Sequence, residues 1–259
     1  MRIPVKTSRW ALWARRLGGF AIPLAIIPVF MHRAAAIPSD TFLLLIAVAA
    51  AFAGLAVFGA LIAIFRLWRT GDEGWGHAIT GCALGLLCLA PIAYFAIDYQ
   101  RYPPIIDIST NPVRPLSLVE APDRDDAARA EVLAAFPNTV SRDYRLTANE
   151  TFRLVEDLVA DKGWAVVRRQ PPQLEIAEGQ INAIDVSLLG WRDEVAIRIS
   201  GDFLDAEVEM RSAALADMPD FGRNGKRVED FLLELDAIVI EAERNRPAPD
   251  APPVPLDRD

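Results

Sequence analysis

Arg211, Ser212, Asn224 and Arg227 are the side chains best suited by type and spacing to do chemistry. They cluster around the expected start of the last helix, where Arg223 and Lys226 add positive charge. Unpaired amides at a helix start, together with guanidinium groups, make a receptive place for an anion. A phospholipid headgroup or an anionic envelope polymer has the matching chemistry. The same residues also read as architecture: Asp217 and Asp220 can neutralise the arginines, with Asn224 or Asp220 capping the helix. That arrangement is the commoner one for basic residues with acids beside them.

Absent residue types narrow the remaining chemistry. Residues 99–259 contain neither histidine nor cysteine. A Ser-His-Asp triad, a cysteine nucleophile and the usual zinc or haem ligand sets are therefore excluded from this stretch. No P-loop or dinucleotide fingerprint occurs, and Asp123, Asp125 and Asp126 do not form an EF-hand pattern. No catalytic residue, cofactor or metal site is expected. Catalysis by two carboxylates, as in glycoside hydrolysis, is the enzymatic alternative that survives.

The elements that must position these residues fall into two unlike parts. Residues 1–98 carry a net charge of +4 and residues 99–259 one of −12, within an overall −8. An acidic second part argues against nucleic acid, which requires a basic face. The first part contains apolar runs at about 17–37, 42–65 and 76–97, each long enough to cross a hydrocarbon core of roughly 30 Å. The first run contains Pro23 and Pro28, and a cleaved signal peptide ending near Ala34–Ala36 is its rival reading. Arg2, Lys6, Arg9, Arg15 and Arg16 precede the first run, and Arg66 and Arg69 follow the second. By the positive-inside rule the N-terminus is cytoplasmic, which leaves the part after residue 98 outside, in the periplasm of a bacterial inner membrane. Small residues at Ala49, Ala53, Ala56, Ala60, Gly81 and Gly85 suit close packing among the three helices themselves. Cys82 and Cys88, six apart, point to different sides of one helix and are not expected to bridge.

Residues 99–139 are proline-rich and read as a linker containing one short helix, Arg124–Phe136; residues 244–259 read as a disordered tail. Between them, 140–243 reads as an α+β soluble domain, an antiparallel sheet with helices on one face, following the all-α membrane region. Thr147 and Glu150 form a capping box, Phe152, Val155, Leu158 and Val159 recur at helical spacing, and Gly163 stops the helix. Strands are expected at 164–169, 173–178, 181–188, 194–200 and 205–211. Arg198 is expected to meet Glu207 or Glu209 in a surface cross-strand pair. Val228, Phe231, Leu232, Leu235 and Val239 mark one face of a closing helix.

Three motifs in order resemble the family called domain of unknown function 1499. They are Asp107 to Pro112 (DISTNP), Gly190 to Ile199 (GWRDEVAIRI), and Arg211-Ser212 followed by Asp220 to Val228 (DFGRNGKRV). The resemblance spans about residues 103–240. It departs where the family continues into two prolines and an aromatic, since this chain has Val113 to Leu116 (VRPL) there. The family implies a fold and a domain extent but brings no activity. Three classes of function follow: an envelope binding or accessory module meeting lipid, polymer or another membrane protein; a carboxylate hydrolase; and a structural subunit of a membrane complex.

Overall fold

Proline does not interrupt the membrane-length helices. Helix α1 (Arg9–Arg33) runs through Pro23 and Pro28, α2 (Ser39–Thr70) has no proline, and α3 (Trp75–Arg101) contains Pro91. All three are long and apolar enough to span a bilayer. In this computed structural model, residues 6–124, 129–173, 178–218 and 220–245 are described. The expected tail beyond Asn245, most of the expected strand at 173–178, and Asp125 and Asp126 lie outside these residues.

The chain divides into two compact units. One comprises residues 1–106 with two later loops, 186–193 and 214–222; the other comprises 107–185, 194–213 and 223–259. In the first unit each of the three helices touches the other two. Ala49, Ala53, Ala56 and Ala60 are fully buried there. A Cβ on Gly81 would fall 2.5 Å from the Ala14 backbone, and one on Gly85 would fall 2.7 Å from Val57. The small residues thus let the protein's own helix backbones meet. Cys82 and Cys88 are free thiols.

The second unit is built on an antiparallel sheet of six strands with helices on one face. In chain order, the strands and helices are β1 (Asp107–Ser109), α4 (Arg129–Ala135), β2 (Arg142–Tyr144), α5 (Ala148–Asp161), β3 (Ala165–Gln170), β4 (Glu178–Val186), β5 (Arg192–Gly201), β6 (Ala206–Ala214) and α6 (Arg223–Arg244). The sheet order is β1-β6-β5-β4-β3, with β2 also pairing β6. Helix α4 falls inside the short helix expected at 124–136. Strands β1 and β2 lie outside the five strands expected from periodicity, and β1 comes from the proline-rich stretch. Both halves of the Thr147–Glu150 capping box are made.

Strand alternation sorts the sheet into two different faces. Ile181, Ala183, Val195, Ile197, Ile199, Val208 and Met210 join α5 and α6 in one core containing Phe152, Phe231 and Leu235. The opposite face carries Asn182, Glu194, Arg198, Glu209 and Arg211, all buried. The stretch from Asn111 to Asp123 satisfies them. Glu194 accepts from the amides of Val119, Glu120 and Ala121 at 2.7–2.8 Å and from Asn182 Nδ2 at 2.8 Å. Arg198 does pair with Glu209, at 2.5 Å, but their side chains are 6% and 3% exposed, so the pair is buried rather than superficial. Asn111 Nδ2 donates to Glu209, and Arg198 donates to the Arg114 carbonyl. An irregular segment without hydrophobic periodicity is held here by polar contacts, since buried polar groups are costly unless bonded.

Candidate functional site

The four residues singled out by type do not converge on one site. Arg211 and Ser212 are neighbours on β6, so their side chains leave opposite faces of the sheet. On the polar face, Arg211 makes a bidentate pair with Asp107 at 2.7 and 3.0 Å. Its remaining donors reach the Leu116 carbonyl at 2.7 Å and Asp123 at 3.0 Å. On the helix face, the Ser212 hydroxyl donates to Asn224 Oδ1 at 2.7 Å. Arg227 donates to Ser212 Oγ and Asn224 Oδ1, and to Asp185 at 2.7 and 3.1 Å. Arg211 is buried and Arg227 half-buried, and both guanidinium groups are engaged by internal acceptors. Asp107 and Asp185 supply the main carboxylates, while Asp220 accepts from the Gly222 amide at 2.9 Å in the turn before α6. These contacts tie β1, β4, β6, α6 and the 111–123 stretch together.

An arrangement suited to ligand binding lies in the other unit. An apolar cavity of about 490 Å³ opens among the C-terminal part of α1, the N-terminal part of α2 and the C-terminal part of α3. Phe30, Ile46 and Ile92 are among its helix residues, and the two later loops contribute Leu189, Trp191 and Phe221 to its wall. Sequence reasoning identified Gly190-Trp191 and Phe221-Gly222 as signature elements without assigning them a wall. The signal was nevertheless present, as each places an aromatic beside a glycine in a loop between elements.

Backbone geometry explains the Gly190-Trp191 element. Gly190 has φ 90°, and a Cβ there would lie 2.7 Å from the Arg33 backbone. Only glycine permits both the left-handed conformation and that approach. The loop turns tightly, with the Trp191 amide donating to Ser187 Oγ at 3.0 Å and the Ser187 amide to the Trp191 carbonyl at 2.8 Å. His32 is buried against the loop. Its Nδ1 donates to the Leu189 carbonyl at 2.7 Å, which leaves Nε2 to accept from Ser39 Oγ at 3.1 Å. The imidazole stacks on Phe42 with centroids 4.5 Å apart and meets Trp191 edge-on at 4.9 Å. His32, Phe42 and Trp191 thereby form an aromatic layer at the cavity's edge.

A chain with three membrane-length helices and an α+β domain whose sheet is helix-covered on one face defines a multi-pass membrane protein carrying an appended domain. Residues 107–235 match the family described as "Protein of unknown function (DUF1499)". No curated protein matches the chain. Among solved structures, that of TTHA0849 from Thermus thermophilus is similar over 40% of this chain and 96% of its own, at 14% identity and a TM-score of 0.24.

Proposed function

We propose that this protein is a binding module anchored in a bacterial inner membrane, with its N-terminus cytoplasmic and its DUF1499 domain periplasmic, and that it holds the apolar chain of a membrane lipid. The observation that carries this reading is the apolar cavity of about 490 Å³, whose volume falls within the range of small-molecule sites. Apolar ligands enter such a site from a bilayer without losing contact with hydrocarbon. The topology rests on the basic residues flanking the cytoplasmic ends of α1 and α2, Arg9, Arg15, Arg16, Arg66 and Arg69. A carboxylate hydrolase is the weaker reading. The buried carboxylates Asp107, Glu194 and Glu209 are each taken up as acceptors of internal hydrogen bonds.

The test is native mass spectrometry of the full chain released from lipid nanodiscs into mild detergent. A retained lipid is expected on the parent protein and not on Ala25→Phe/Ile46→Trp, which fills the cavity. Equal retention by both, or no lipid on either, overturns the proposal.

A further inference from the structure

We infer that the lipid carries an anionic, phosphate-bearing headgroup, and that Arg192 receives it in a second, polar cavity. This deepens the chain-binding reading above and rests on it. The second cavity, about 470 Å³, is lined by His32, Ser39 and Arg192 together with residues 35–38 of the α1–α2 turn. Trp191 belongs to both linings. Phe42 lines the apolar cavity and His32 the polar one, and the two rings are stacked on each other. The aromatic layer is therefore the boundary between an apolar hollow and a polar one. An amphiphile passing the edge of the Trp191 indole has its tail on one side and its head on the other. Indole is suited to that position because one part of it is apolar and its N–H is polar.

Charge selects the head. Arg192 is exposed and is the one formally charged side chain of fixed sign in the polar lining, which contains no carboxylate. Its guanidinium makes no hydrogen bond or ion pair with the described residues, unlike those of Arg211 and Arg227. A planar guanidinium binds phosphate through paired N–H donors. Ser39 Oγ already donates to His32, so its lone pairs remain for a donor on the headgroup, such as a glycerol hydroxyl. The matching ligand is an anionic glycerophospholipid.

The experiment uses the full chain in nanodiscs of equal phosphatidylglycerol and phosphatidylcholine with identical acyl chains, followed by native mass spectrometry. The parent is expected to retain phosphatidylglycerol at least ~5-fold over phosphatidylcholine. Arg192→Gln should retain as much total lipid with the preference lost, and Arg192→Lys should restore part of it. An unchanged thermal midpoint shows that the exposed substitution leaves the fold intact. Lipid retained without head preference, or a preference that survives Arg192→Gln, overturns the headgroup inference and leaves the chain-binding reading standing. No retained lipid, or a second protein copy in its place, overturns both.

Discussion

Arg211→Met should unfold the DUF1499 domain at a markedly lower temperature, and the expected size follows from the burial of its partners. Arg211 and Asp107 are each 3% exposed and paired at 2.7 Å. Removing one member of such a pair leaves a buried, uncompensated charge, at a cost of about 3–5 kcal/mol. For a cooperative unit of about 130 residues, an unfolding entropy of ~2.1 cal/mol/K per residue gives roughly 0.27 kcal/mol/K, so the midpoint falls by ~11–18 °C. Asp123 pairs with the same guanidinium at 3.0 Å but is 80% exposed. Asp123→Asn should therefore cost under about 1 kcal/mol, or less than ~4 °C. Asp107→Leu/Arg211→Met should be more stable than Arg211→Met alone, since removing both charges of a buried pair avoids the stranded one. The assay is scanning calorimetry of the full chain in detergent. An Arg211→Met midpoint within roughly two degrees of the parent would refute the reasoning. Such a result combined with loss of a bound anion would instead make Arg211 part of a binding site.

Two further perturbations test other parts of the structure. Gly190→Ala places a side chain at φ 90° and 2.7 Å from the Arg33 backbone; the left-handed conformation alone costs about 1–2 kcal/mol, and hydrogen exchange at residues 187–191 should accelerate. Unchanged exchange would show that the loop does not need glycine. Tyr144 donates to Asp236 at 2.7 Å, and burial first, then that hydrogen bond and the aspartate's charge, hold its pKa well above the ordinary 10.0. Because the folded value is the higher one, this stabilisation is complete below pH ~10 and is lost above it as the unfolded chain ionises, by up to about 1.4 kcal/mol per pH unit. Tyr144→Phe should lower the midpoint at neutral pH by removing the hydrogen bond, yet flatten its decline above pH ~10. Parallel declines for parent and variant would contradict this assignment.

Local features were legible where a short-range rule governs them. The capping box at Thr147, the apolar faces of α5 and α6, and the alternation of β5 and β6 each depend on residues within a few positions. The three membrane-length helices were visible from apolar length alone. The contacts of the polar face were not. Asp107 lies 104 positions from Arg211, and no local rule connects them. The Arg198–Glu209 pair followed from cross-strand adjacency, but its burial depends on the 111–123 stretch, whose prolines and irregular pattern suggested a linker. That stretch packs through amides and carbonyls, which composition does not display. At the candidate anion cluster, residue type was informative and direction was not: adjacent positions on a strand face opposite ways, which separates Arg211 from Ser212, Asn224 and Arg227.

The same distinction shows which residues report on the fold and which on a ligand. Five polar and charged residues of the DUF1499 motifs, Asp107, Arg211, Ser212, Asn224 and Arg227, have internal partners, so replacing them perturbs the sheet and α6 before any ligand is involved. The aromatic members, Trp191 and Phe221, contribute surface to an apolar cavity. Each already borders open space, so truncating it removes fewer packing contacts than truncating a residue enclosed on all sides. Trp191 differs from Phe221 in packing against His32 as well, so its truncation should disturb the boundary between the apolar and polar cavities. Phe221→Ala should weaken retention of all lipids alike, whereas Trp191→Ala should also blunt the preference for the anionic head. The two outcomes are separable on one spectrum, because total bound lipid and its composition are read together. A Trp191→Ala protein that keeps both would place the ligand elsewhere, whatever Arg192 does.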